Sequence, residues 1–376
     1  MATAKFPIKT PTPSIKDSLS RDTGRLPTLD GWRAISILFV LGAHCTITEG
    51  FPARFTNAFN WIFDGSLGVR FFFVISGFLI TWLLLVEEQR SGRVDLRHFY
   101  IRRALRILPV YTAFLAVLLG LQIFTAFHLD ARSWIGSLTF STNIVGTSSW
   151  TNGHLWSLAQ EEQFYLVWPG LFVLSGASAR PRTAACLLSI PILACPLIRV
   201  LGYLRIMPPL FYHCMGTSSF DSIAFGCAAA VLFNHKRAEA ERCISSAPRQ
   251  MVFAGTCLIL FPYILTKIFL AGILTVPLGE SLQAVGFCVL LLVGIVKPNF
   301  VFFRVLCRRW MCEIGLLSYS IYIWQQIFCS KPGAFGLEHA WWLAFPSWLV
   351  PVFLTAFLSY YALEQPLFRL RKHFRD

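Results

Sequence analysis

Charge is what this chain has least of: 14% of its residues are Asp, Glu, Lys or Arg, and only 19 are acidic. So low a share excludes the solvated surface of an ordinary soluble domain, which carries about 25%. Cysteine pairing is also missing. The eleven cysteines are odd in number and mostly lie inside apolar runs, as at Cys45, Cys186, Cys195, Cys227, Cys257 and Cys288. None is spaced like a zinc or thioredoxin motif, so they read as small apolar fillers and no metal is expected. The polar stretch before Asp30 lacks the apolar core and small-residue cleavage site of a secretory signal. No internal repeat and no second soluble domain is legible.

What the chain has in abundance is apolar surface: 55% hydrophobic residues, with 35 Phe and 12 Trp. Runs of roughly 20 apolar residues, enough to cross a hydrocarbon core, recur from Trp32 to the end. The expected fold is all-α, a polytopic membrane protein with about ten transmembrane helices in one bundle. Residues 1–28 are expected as a disordered cytoplasmic tail, 29–368 as the ten-helix membrane domain and 369–376 as a basic cytoplasmic tail. Residues 130–153 are rich in Ser, Thr, Asn and Gly, which suits a non-spanning loop that lines or covers a site.

The net charge of +14 raises the question of nucleic acid. Its distribution answers against it. Basic residues cluster in short segments between apolar runs, at 90–106, 236–249, 297–309 and 369–375, with few on the opposite side, such as Arg54, Arg132, Arg199, Lys267 and Lys331. By the positive-inside rule this asymmetry puts both termini in the cytoplasm, the partner being a lipid bilayer, most naturally a bacterial inner membrane.

Three groups of polar residues interrupt the apolar runs. Arg33 and His44 share the first span; eleven residues apart, they fall nearly on one helix face, with His44 about 16 Å further along the axis. Ionisable residues inside a membrane are costly and point to function, although a snorkelling Arg and a His bonded between helices would also fit. Arg102, Arg103 and Arg106 form a forked cationic face at the entry to the third span. Guanidinium forks suit phosphate, as in a coenzyme A thioester, while an ordinary topology signal is the plainer alternative. In the fourth span Glu161 and Tyr165 share a face and Glu162 points elsewhere.

With these residues in place, the sequence resembles the acyltransferase family 3 membrane proteins, which O-acylate surface polysaccharides and related glycans. Ordered blocks carry the resemblance: Leu29-Asp-Gly-Trp-Arg-Ala with His44 beyond it, Gly68-Val-Arg-Phe-Phe-Phe-Val-Ile-Ser-Gly-Phe-Leu-Ile80, and Phe99-Tyr-Ile-Arg-Arg-Ala-Leu-Arg-Ile-Leu-Pro109. They continue with Trp156-Ser-Leu-Ala-Gln-Glu-Glu-Gln-Phe-Tyr165, Phe220-Asp-Ser-Ile-Ala-Phe-Gly226, Ser318-Tyr-Ser-Ile-Tyr322 and Glu364-Gln-Pro366. The resemblance implies O-acetylation of a polysaccharide or other glycoside acceptor by a cytoplasmic acyl-CoA, acetyl by default. It also implies functional positions at Arg33, His44, Arg102, Arg103, Arg106, Glu161 and Glu364, with Asp221 and Tyr165 as further candidates.

Two positions depart from the family pattern: Ser219 stands where many relatives carry Arg, and Gln325 where a His is usual. No esterase-like domain is seen after the last span, so transfer is expected to finish here or on a separate partner protein. In the expected mechanism Arg102, Arg103 and Arg106 hold the donor's phosphates. His44 takes the acceptor's proton or carries the acyl group, and Glu161 supports the imidazolium. A polytopic transporter or flippase for an acylated or sugar substrate is the rival reading, since buried ionisable residues in about ten spans also describe carriers.

Overall fold

The chain is described by a computed structural model that covers residues 26–146, 149–177, 179–206, 219–331, 334–336 and 340–370. Residues 1–25 and 371–376 of the two expected tails lie outside the described residues. Among those described there is no strand, and the helices of eleven residues or more are numbered here in chain order. They are α1 (Pro27–Cys45), α2 (Gly65–Ser91), α3 (Leu96–Phe124), α4 (Leu155–Leu174) and α5 (Pro181–Tyr203). The series continues with α6 (Phe220–His235), α7 (Pro248–Lys267), α8 (Gly272–Val296), α9 (Arg309–Phe328) and α10 (Leu349–Ser359).

Five of the helical segments are long and apolar enough to cross a membrane: α2 with the short helices before it, α3, α5, α7 and α8. Of the others, three are interrupted where chemistry-bearing residues replace apolar ones, at Arg33 and His44 in α1, Gln160, Glu161, Glu162 and Gln163 in α4, and Gln325 and Gln326 in α9, while α6 and α10 are short, at 16 and 11 residues. Leu83, Leu166, Leu193, Phe261 and Leu354 are among the large apolar side chains on the outside of the molecule. Such a surface is suited to lipid and unsuited to water.

Helix starts follow their local chemistry. Pro27, Pro181 and Pro248 open α1, α5 and α7, where a missing N–H costs nothing. Asp64 caps α2 through the amides of Ser66 and Leu67, at 2.9 and 3.2 Å. Asp95 caps α3 through His98 N–H at 2.9 Å, and that hydrogen bond holds its carboxyl below the ordinary carboxylate range.

Small residues set the closest crossings. A Cβ at Gly77 of α2 would run into the Ile223 carbonyl of α6, and one at Gly226 of α6 into the Val74 carbonyl of α2. The two backbones therefore touch where glycine leaves room. Gly315 of α9 gives the same clearance to the Asp30 carbonyl of α1. With Gly68 of α2, whose Cβ would strike the Ser36 carbonyl of α1, Gly315 holds the helix that carries Arg33 and His44 closely between α2 and α9. Aromatic packing completes the arrangement, with Trp32 edge-on to Phe71 at 4.6 Å and Phe71 stacked on Phe287 at 4.1 Å.

Beyond α10 the chain makes one π-helical turn, Tyr360–Glu364, before the short helix Gln365–Leu370. Such a turn carries an extra residue and rotates the side chains beyond it, often at functional sites. Here it delivers Glu364, 3% exposed, to the interior. The expected loop 130–153 is broken into short helices, Ala131–Leu138 and Thr142–Val145, and a single turn, Trp150–Asn152. Ser133, Ser137, Thr151 and Asn152 are buried, so the segment packs against the neighbouring helices.

Candidate active site

Polar residues of α1, α3, α4 and α9 gather between the helices in tiers. The first tier lies deep between α1, α3 and the π turn. Glu364 sits within electrostatic range of Arg106 and Arg33, and its carboxylate accepts a hydrogen bond from Ser320 of α9. Residues from four separate stretches of sequence thus meet around one buried acid.

The second tier belongs to α3 and α4. Arg103 donates to Glu162 at 2.7 Å, and its guanidinium lies over the Tyr165 ring, 3.5 Å from the centroid. Tyr165 in turn donates to Glu161 at 3.2 Å, as the four-residue spacing implied. Arg102 faces a different acid, Glu87 of α2. The three arginines share one helix face, but Arg102 and Arg103 pair with different carboxylates, Glu87 and Glu162, and Arg106 lies within electrostatic range of a third, Glu364. A guanidinium has five N–H donors, and one carboxylate uses at most two of them. An arginine oriented by its acid can therefore engage a second anion as well.

His44 forms the third tier, at the end of α1 opposite Arg33. Its Nδ1 lies 2.7 Å from Gln325 Oε1, and the ring stands nearly perpendicular to Trp150 with centroids 4.9 Å apart. Cys329 donates its thiol to the same amide oxygen at 3.3 Å, which agrees with oxygen facing the imidazole. With that orientation Nδ1 carries the hydrogen, and Nε2 is left with a lone pair. Gln325, which departs from the family pattern, is therefore the hydrogen-bond partner of His44. Glu161, by contrast, is placed on Tyr165 and near Arg103, one tier away; the partner of His44 is an amide, not a carboxylate.

A second imidazole beside this tier is not singled out by sequence reasoning. His154, 3% exposed at the start of α4, lies 2.8 Å from Gln326 Oε1 through Nδ1 and 3.0 Å from the Ile323 carbonyl through Nε2. Consecutive glutamines of α9 thus hold two histidines from different helices. Tyr322, one turn earlier, donates to the His154 carbonyl at 2.9 Å. Only a weak signal marked this residue in the sequence, its place just before the Trp156 block.

Asp221 lies in a separate polar knot. Arg199 of α5 grips both its oxygens, at 2.8 and 3.0 Å, and also reaches Glu280 of α8 at 2.9 Å. Ser281 adds a hydrogen bond at 2.6 Å. With Ser219 in place of the family's Arg, the cation opposite Asp221 comes from another helix. Ser219 itself donates its amide to Gln160 at 3.1 Å and its hydroxyl to Glu280 at 3.2 Å. The knot therefore abuts α4 one residue before Glu161. Among the described residues no cluster of His, Cys, Asp and Glu is arranged to hold a metal ion.

The chain is similar to several known proteins. A Bacillus subtilis protein assigned as a peptidoglycan O-acetyltransferase, YrhL, is 28% identical over 370 residues, covering 91% of this chain and 55% of its own length. Peptidoglycan O-acetyltransferase OatA of Listeria monocytogenes is 25% identical, covering 91% of this chain and 56% of its own. O-acetyltransferase OatA of Staphylococcus aureus is 28% identical, with 80% and 50% covered. The chain spans about half the length of these curated relatives. No solved structure matches. The family described as an acyltransferase domain, acyltransferase 3, matches residues 26–364, and with nearly all the described helices and all three tiers inside that match, the chain belongs to it.

Proposed function

We propose that this chain is an integral membrane O-acyltransferase of a bacterial inner membrane, both termini cytoplasmic, that moves an acetyl group from acyl-CoA to a hydroxyl of a surface glycan. The observation that carries the reading is the imidazole of His44, its Nδ1 tied to Gln325 and its Nε2 left as a base, at the far end of a helix whose near end bears Arg33. All ten helices are taken as membrane-spanning in this reading, the polar ones lining the interior. The relatives' activity on peptidoglycan supports a glycan acceptor.

In this scheme Arg102, Arg103 and Arg106 hold the donor's phosphates with N–H groups beyond those their carboxylates engage, and Arg33 lines the path toward His44. His44 Nε2 takes the proton of the acceptor hydroxyl as its oxygen attacks the thioester carbonyl. The C–S bond breaks, and the imidazolium returns the proton to the departing thiolate. General-base assistance of this kind contributes about 100- to 10,000-fold. Glu161 and Tyr165 keep Arg103 in register. Mass spectrometry of surface glycans from cells with and without the protein tests the reading. Acetyl esters should disappear with the gene and return with its expression; an unchanged glycan acetyl content contradicts it.

A further inference from the structure

Beyond His44, on the side away from Arg33, the bundle opens into a cleft of about 340 Å³. Its walls come from the turn after α3, the Trp150–Asn152 turn and the end of α9. The lining combines aromatic rings and hydroxyl-bearing side chains with two basic residues, His128 and Lys331. Phe127, Trp150 and Phe335 present aromatic rings, and Ser149, Thr151 and Ser330 present hydroxyl-bearing side chains. By contrast, a second groove, between α4 and α5, is lined by apolar side chains such as Val167, Leu171, Leu187 and Ile190, as a lipid-facing surface would be.

Trp150 joins the cleft to the catalytic tier. Its Nε1 donates to the Cys329 carbonyl at 3.1 Å, which fixes the indole, and the ring meets His44 edge to face. Phe127 and Phe335 pack against each other with centroids 5.5 Å apart. Rigid aromatic surface bordered by hydroxyl groups fits a sugar, whose ring has one apolar C–H face and a polar rim. Ligand pockets run from about 300 to 1,000 Å³, so this one suits a single ring with the rest of the chain outside.

We infer that this cleft seats one pyranose ring of the acceptor glycan on Trp150 and presents a free hydroxyl of that ring to His44. The inference rests on the proposed O-acyltransferase function and adds the place and chemistry of acceptor binding. Phe127 extends the platform away from His44, and Thr151 borders it.

Steady-state transfer from acetyl-CoA to soluble peptidoglycan fragments, with the full chain in detergent, tests it. Trp150→Ala should raise KM for the fragment about tenfold with KM for acetyl-CoA unchanged, and Trp150→Phe should recover most of the loss. Phe127→Ala, which does not touch the imidazole, should raise the fragment KM about threefold at constant kcat. An unchanged fragment KM in both alanine variants, or a loss confined to kcat, overturns the inference while the function stands. A wild-type chain that consumes acetyl-CoA but acetylates no sugar overturns the functional reading, and the inference with it.

Discussion

Arg103 is held in a framework and, in the proposed function, also serves the reaction. Its fork is held by Glu162 and its flat face by Tyr165, so a point charge of the same sign cannot replace it fully. Arg103→Ala should raise KM for acyl-CoA about tenfold or more with the protein still inserted, and Arg103→Lys should restore part of that loss. Donor kinetics on both variants in membranes check this; equal KM values for wild type and Ala would reduce the residue to a topology signal. At this scale the sequence was most readable where a polar side chain broke an apolar run, as at Arg33, His44 and Glu161. The Glu161–Tyr165 contact also followed from helical spacing alone. The acids opposite each arginine were not readable, because Glu87, Glu162 and Glu364 reach α3 from three other parts of the chain. Gln325 stood out only as a departure from the family pattern, and Trp150 not at all, since a tryptophan near a helix end is an ordinary feature of a membrane protein.

Hydropathy located the helices well, and their apolar runs were sufficient for that. It did not locate the crossings. Gly77 and Gly226 are two of 25 glycines, and only the meeting of α2 with α6 reveals that a side chain at either would strike carbonyl oxygen. Gly226→Leu should push the helices apart and cost about 1–3 kcal/mol, read as a fall in the thermal unfolding midpoint in detergent. Gly120 and Gly170, with open space around their Cβ positions, should accept Ala with a much smaller change. The π-helical turn at Tyr360–Glu364 was equally hidden. Its extra residue is set by packing of α10 and by burial of Glu364 beside Ser320, neither of which leaves a periodic trace. The segment 130–153 was legible as irregular from its Ser, Thr, Asn and Gly content, though its role in holding Trp150 against His44 needed the fold.

For the whole molecule, orientation and chemistry are one question, because the route from donor to acceptor has a direction. The basic segment 235–249 includes Cys243, exposed on the helix Arg237–Ser246. A membrane-impermeant thiol reagent should label it in inverted vesicles and spare it in intact cells. Labelling from outside would reverse the direction of donor entry. The central claim is that all the tiers converge on one base. Transfer of acetyl from acetyl-CoA to glycan by His44→Gln, expressed and inserted at wild-type level, tests that claim most directly, since Gln keeps hydrogen-bonding capacity but takes no proton near neutral pH. The account predicts a fall of about 100- to 10,000-fold in rate with the protein still folded. Transfer at near wild-type rate would make His44 a packing residue and contradict the mechanism.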